Sequence, residues 1–157
     1  LYFLDDMVAA GLPMTEGYIS DKDLFDFSLS QMHGKQNLHF LITVSSHAPW
    51  TLQPEVEKVP CTQGPPLYKD YVASMRYVDN CLKDYVSGLP PNTLLFLYGD
   101  HSSGLEYAGN EAGLVPIIIF KQGSDLSKLP QETPSVAEPV DFYNLVYMAH
   151  AYIDAYP

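Results

Sequence analysis

The spacing of apolar positions changes several times along the chain. Near the start, Leu1, Phe3, Leu4, Met7 and Val8 fall at helical intervals until Gly11-Leu12-Pro13. That predicts a short helix stopped by glycine and proline. A second helix is expected after Ser20. Asp23 stands three residues on, as in a capping box, and acids fill the first turn. Leu24, Phe27, Leu29 and Met32 make a rough apolar face that ends at Gly34. From 38 to 44 the run "LHFLITV" is almost continuously apolar and rich in β-branched and aromatic residues. Such a run predicts a strand covered on both faces. The loop 46–66 is stiffened by Pro49, Pro54, Pro60, Pro65 and Pro66, and ordered connections this long often carry function.

The clearest helix covers 67–89. Tyr68, Tyr71, Val72, Met75, Val78, Leu82, Tyr85, Val86 and Leu89 recur at spacings of three and four, and Gly88 and Pro90-Pro91 end it. "TLLFLYG" at 93–99 and "VPIIIFK" at 115–121 predict two further strands. "PVDFYNLVYMAHAYIDAY" at 139–156 predicts a closing helix. From the helix after Ser20 onward, the order is helix, strand, helix, strand, strand, helix. It indicates an α/β fold with a mostly parallel sheet flanked by helices.

Composition narrows the function classes. The 157 residues carry 19 acids against 8 bases, a formal charge of −11. Such a chain repels phosphate backbones, so no nucleic-acid partner is expected. No run reaches the roughly 18 to 20 apolar residues that span a bilayer. The chain begins at Leu1, and the expectation is that it was trimmed from a longer protein whose export signal or membrane anchor lies upstream. Cys61 and Cys81 belong to no C-x-x-C pair, which excludes a zinc ribbon. One disulfide and two free thiols both remain open.

The candidate chemistry sits where strands end, because ligands in open α/β sheets bind outside the carboxyl ends of the strands. One predicted strand ends in Ser45-Ser46-His47 and another in Gly99-Asp100-His101. If the two run parallel and close, His47, Asp100 and His101 converge on one edge. Asp and His suit Mn²⁺ or Zn²⁺ rather than a metal that favours thiolates. Neighbours on a regular strand point to opposite faces, so both reach one ion only if the chain turns, which Gly99 permits. The plainer alternatives are a turn at Asp100 and a loop histidine at His47. His39 is read as a packed or hydrogen-bonded side chain, and His33 and His150 as surface or core residues on helices, without chemistry. Ser102 and Ser103 lack a G-x-S-x-G elbow. No phosphate-binding glycine loop occurs either.

Taken together, "LITVSSHAPW", "YVASMRYVDNCLKDYVSGLPPNTLLFLYGDHSSG", "VPIIIF" and "PVDFYNLVYMAHAYI" resemble the C-terminal half of a sulfatase-type domain. The similarity is greatest to the lipoteichoic acid synthase and phosphoglycerol transferase branch of the alkaline phosphatase superfamily. It implies an alkaline-phosphatase-like partial domain over 1–157. It also implies a divalent metal, Mn²⁺ first with Zn²⁺ or Ca²⁺ as alternatives, held by Asp100 and His101. His47 would contact the phosphate-bearing head group of a lipid-linked or glycan substrate. In that family a threonine nucleophile and a further acidic ligand lie upstream, and neither has a matching motif here. Neither cysteine has the C-x-P-x-R context of a sulfatase nucleophile. The chain alone is therefore expected to be inactive and to need the missing N-terminal half, with self-association through its exposed edge. The parent enzyme is expected outside the cytoplasm, anchored to the membrane upstream. The alternatives are a sulfatase or phosphodiesterase of the same superfamily, or a non-catalytic binding module that kept the fold.

Overall fold

The computed structural model describes residues 3–14, 17–34, 37–50, 65–105 and 115–123. The expected closing helix at 139–156, His150 and Cys61 lie outside them. The chain divides into two compact units, Leu1–Pro90 with Leu105–Ala108, and Pro91–Gly104 with Gly109–Pro157.

In the first unit, α1 spans Leu4–Ala9 and opens with the Asp6 carboxylate accepting the Phe3 N–H at 2.9 Å. Gly11, at a φ of +93°, ends it as expected. The second helix, α2, spans Asp21–Gln31. Ser20 caps it by accepting the Asp23 N–H at 3.1 Å, and its hydroxyl donates to the Asp23 carboxylate at 2.6 Å. The box therefore closes hydroxyl to carboxylate rather than through the cap's own N–H.

The third helix, α3, spans Pro66–Gly88, starts on a proline at its first position and stops where glycine and the following prolines predict. Its buried stripe is Ser74, Val78, Cys81 and Tyr85, while Met75, expected on the apolar face, is exposed. The α2 face also differs from expectation, because Asp21, Phe25 and Ser28 are the buried residues. Leu24, Phe27, Leu29 and Met32 are half-buried. The reason is the α2–α3 contact. Phe25 stacks on Tyr85 with ring centroids 4.7 Å apart. The Ser28 hydroxyl lies 3.1 Å from the Tyr85 hydroxyl and 2.9 Å from His39 Nδ1. A polar residue can turn inward there because its hydrogen bonds are met.

The segment 38–44 is not a strand. It keeps the two-residue alternation of one, with His39, Leu41 and Thr43 half-buried and Leu38, Phe40 and Ile42 at 96%, 67% and 75% exposure. Among the described residues no ladder pairs it. Pattern alone does not make a strand; a hydrogen-bonded neighbour does.

The second unit contains β1, Leu94–Tyr98, and β2, Ile117–Lys121. They pair antiparallel, Leu94 opposite Lys121 through Tyr98 opposite Ile117. The expected mostly parallel sheet is not seen among the described residues: their sheet has two strands, paired antiparallel. Parallel neighbours need a crossover, usually a helix, whereas "TLLFLYG" and "VPIIIFK" follow one another without a helical pattern between them. Beyond the ladder, the Gly99 N–H donates to the Pro116 carbonyl at 3.2 Å and Gln122 N–H to the Thr93 carbonyl at 2.8 Å.

Candidate functional site

His47 sits in the turn that follows the extended segment, in the first unit. The turn is tied at both ends. On one side, Asp21 Oδ1 accepts the backbone N–H groups of Val44 at 3.0 Å and Ser45 at 2.9 Å. The Asp21 N–H donates to the Ser45 hydroxyl at 3.1 Å. Asp21 and Ser45 are fully buried. On the other side, Trp50 has a φ of +58°. For a bulky residue this left-handed conformation costs about 1–3 kcal/mol and persists only where the surroundings enforce it. They do so here: Trp50 Nε1 donates to the Ser46 carbonyl at 2.8 Å, and the Ser74 hydroxyl donates to the Trp50 carbonyl at 3.4 Å. The indole meets the Tyr71 ring edge-on at 5.5 Å. The Ala48-Pro49 peptide between them is cis.

Within that frame the His47 side chain is exposed, and its Nδ1–H donates to the Ala48 carbonyl at 2.7 Å. A carbonyl can only accept, so Nδ1 carries the proton and the neutral ring's lone pair sits on Nε2.

Asp100 and His101 are in the second unit, at the end of β1. The chain bends at both residues. Gly99 contributes differently from expectation. It is not among the glycines of positive φ. A Cβ there would lie 3.0 Å from Val115 Cβ, so its role is the close approach of β2's leading residues. The turn's glycine is Gly104, at a φ of +69°.

The bend brings His101 Nε2 within 3.7 Å of Asp100 Oδ1, with both side chains exposed. His101 Nδ1–H donates to the Ser102 carbonyl at 2.8 Å. This orients the ring as a metal-ligating imidazole is usually oriented, with the outer nitrogen toward the ion. Two ligands at about 2.1 Å from a tetrahedral ion stand about 3.4 Å apart, so this pair fits one divalent metal with little movement. Among the described residues no group of three or more His, Cys, Asp or Glu gathers to complete such a site.

The other candidates of the sequence resolve plainly. The Ser28–His39 pair has nucleophile-and-base spacing, but Ser28 is buried under α3, so the pair is structural. Cys81 carries a free, buried thiol. Burial pushes its pKa up, although the Tyr77 hydroxyl hydrogen-bonds it. This is the opposite of what thiolate catalysis requires. Asp21, Ser45 and Trp50 were not anticipated. Asp21 read as one of several acids in a first helical turn, and nothing local announces a partner 24 residues on.

Among the described residues, no helix is long and apolar enough to cross a membrane. No curated protein and no solved structure matches the chain. The sulfatase family model, in contrast, matches residues 3–145. That family has an alkaline-phosphatase-like α/β fold and generally uses a divalent metal. The match takes in the anchored turn of His47 and the bend of Asp100 and His101 together, and the chain belongs to the sulfatase family.

Proposed function

We propose that the chain is the C-terminal part of a metal-dependent sulfatase-family transferase that acts on phosphodiester head groups of phosphoglycerol or phosphoethanolamine type. In this reading Asp100 and His101 hold the cation, Mn²⁺ first, and His47 contacts the phosphate-bearing head group. The observation that carries the reading is the 3.7 Å separation of His101 Nε2 and Asp100 Oδ1 at the end of β1. Support also comes from the order of the "SSHAPW" and "GDHSSG" motifs, which resembles the lipoteichoic acid synthase branch.

A divalent cation held there would stabilise the charge that develops on a phosphoryl oxygen. Asp100 contributes a hard oxygen ligand. His101 contributes nitrogen, with its tautomer set by the Ser102 carbonyl. His47, with Nδ1 committed to the Ala48 carbonyl, presents Nε2 to a head-group oxygen, as a donor when the ring is protonated. The attacking threonine and a further acidic ligand come, in this reading, from the N-terminal half of the domain. The enzyme acts outside the cytoplasm on a lipid-linked substrate.

The test is calorimetric titration of Mn²⁺ into the protein extended through that half, beside its Asp100→Ala and His101→Ala variants. Binding that either substitution abolishes is the expected result. Equal binding in all three proteins would remove the metal from the end of β1.

A further inference from the structure

We propose that Asp21 is a positioning residue for His47, acting through the turn 45–50; the inference rests on the head-group reading of His47. The two residues are far apart in sequence. What links them is the buried clamp. Three hydrogen bonds from one residue at the start of α2 fix the backbone and side chain just before His47, at 3.0, 2.9 and 3.1 Å.

The clamp has a feature that packing alone does not explain. Asp21 Oδ1 is shared by two amides, while Oδ2 is buried and meets no hydrogen-bond donor among the described residues. An unmet polar atom in a closed site is unfavourable and is kept only where something else depends on it. The turn it holds is also strained, at Trp50, and closed from the far side by Ser46, Ser74 and Tyr71. Between a buried anchor and a strained anchor stands one exposed imidazole. Rigid backbone on both sides removes the freedom of that ring before any ligand arrives, which is how a preorganised contact gains affinity.

Asp21→Asn keeps an oxygen at Oδ1 for both amides, and Asp21→Ala removes it. Trp50 is the single tryptophan of the chain, so its emission reports on the turn. In the full chain, Asp21→Ala is expected to red-shift that emission. It should also speed exchange of the Val44 and Ser45 amides by about tenfold or more, with helical circular dichroism unchanged. Asp21→Asn should keep wild-type behaviour in both.

The ligand side is read by NMR, from the His47 ring signal during titration with glycerol phosphate. The response should weaken about tenfold in Asp21→Ala, return in Asp21→Asn and vanish in His47→Ala. Should Asp21→Ala fail to fold, Ser45→Ala, which removes one clamp bond, must show the smaller red shift. Wild-type emission and exchange in Asp21→Ala would overturn the proposal. So would a released turn with the His47 response intact. Absence of any wild-type response to glycerol phosphate would sink the head-group reading instead, and exchange would still decide whether Asp21 holds the turn.

Discussion

Replacing Ser28 should harm the helical unit more than replacing the larger Tyr85 hydroxyl partner does. The Ser28 hydroxyl is a hub, 3.1 Å from the Tyr85 hydroxyl and 2.9 Å from His39 Nδ1, and it is 3% exposed. Tyr85→Phe deletes one hydrogen bond and leaves Ser28 with His39. Its ring still stacks on Phe25, so the loss is that of an ordinary hydrogen bond, about 0.5–1.5 kcal/mol. Ser28→Ala deletes two bonds and strands the Tyr85 hydroxyl, on a residue 4% exposed. Leaving a buried polar group unmet costs about 1–3 kcal/mol. The two substitutions must also be coupled. Once Ser28 is alanine, the stranded hydroxyl is a liability, and adding Tyr85→Phe should then be nearly neutral. Urea unfolding of the four proteins, followed by circular dichroism, gives the cycle. Equal effects of the single variants, or additivity within about 0.3 kcal/mol, would refute the hub.

The helical unit should lose stability in alkali. Burial pushes the Tyr77 phenol from 10.0 up to about 12, against an opposing hydrogen bond with Ser20, and burial likewise raises the Cys81 thiol above 9.0. Both folded values are raised, so their contribution is complete below about pH 9 and is lost as pH climbs from there through 12. Urea midpoints between pH 8 and 11 should fall, and the double variant Tyr77→Phe/Cys81→Ala should flatten the decline; an unchanged slope in that variant would remove the assignment. In the strand unit, Gly99→Ala sets a methyl 3.0 Å from Val115 Cβ. It should destabilise the β1–β2 ribbon by about 1–3 kcal/mol, seen as faster exchange of the residue 99 amide bonded to Pro116. Protection equal to wild type would mean that the Val115 side chain gives way without loosening the ribbon.

The readable parts of this protein are those whose causes are local. The long helix α3 is written as apolar residues three and four apart and ends at Gly88 and the prolines, because each helical bond reaches only four residues. The cap at Ser20 is similarly local. The sites of β1 and β2 are visible as β-branched and aromatic runs. So are Asp100 and His101 as adjacent residues at a strand end, though their 3.7 Å approach depends on the bend.

Partnership is what the chain alone did not reveal. Residues 38–44 carry the pattern of a strand and have no ladder among the described residues. The β1–β2 pair is antiparallel where buried-type runs suggested parallel neighbours. The inward face of α2 was set by Tyr85 on another helix, which turned Ser28 in and left Leu24 at the margin. Asp21 shows the limit most clearly, since its meaning depends on two amides more than twenty residues away. Propensity and periodicity act over a few residues, so a sequence displays them directly. Strand pairing, burial and buried hydrogen bonds join distant segments, and only the folded backbone decides which segments meet.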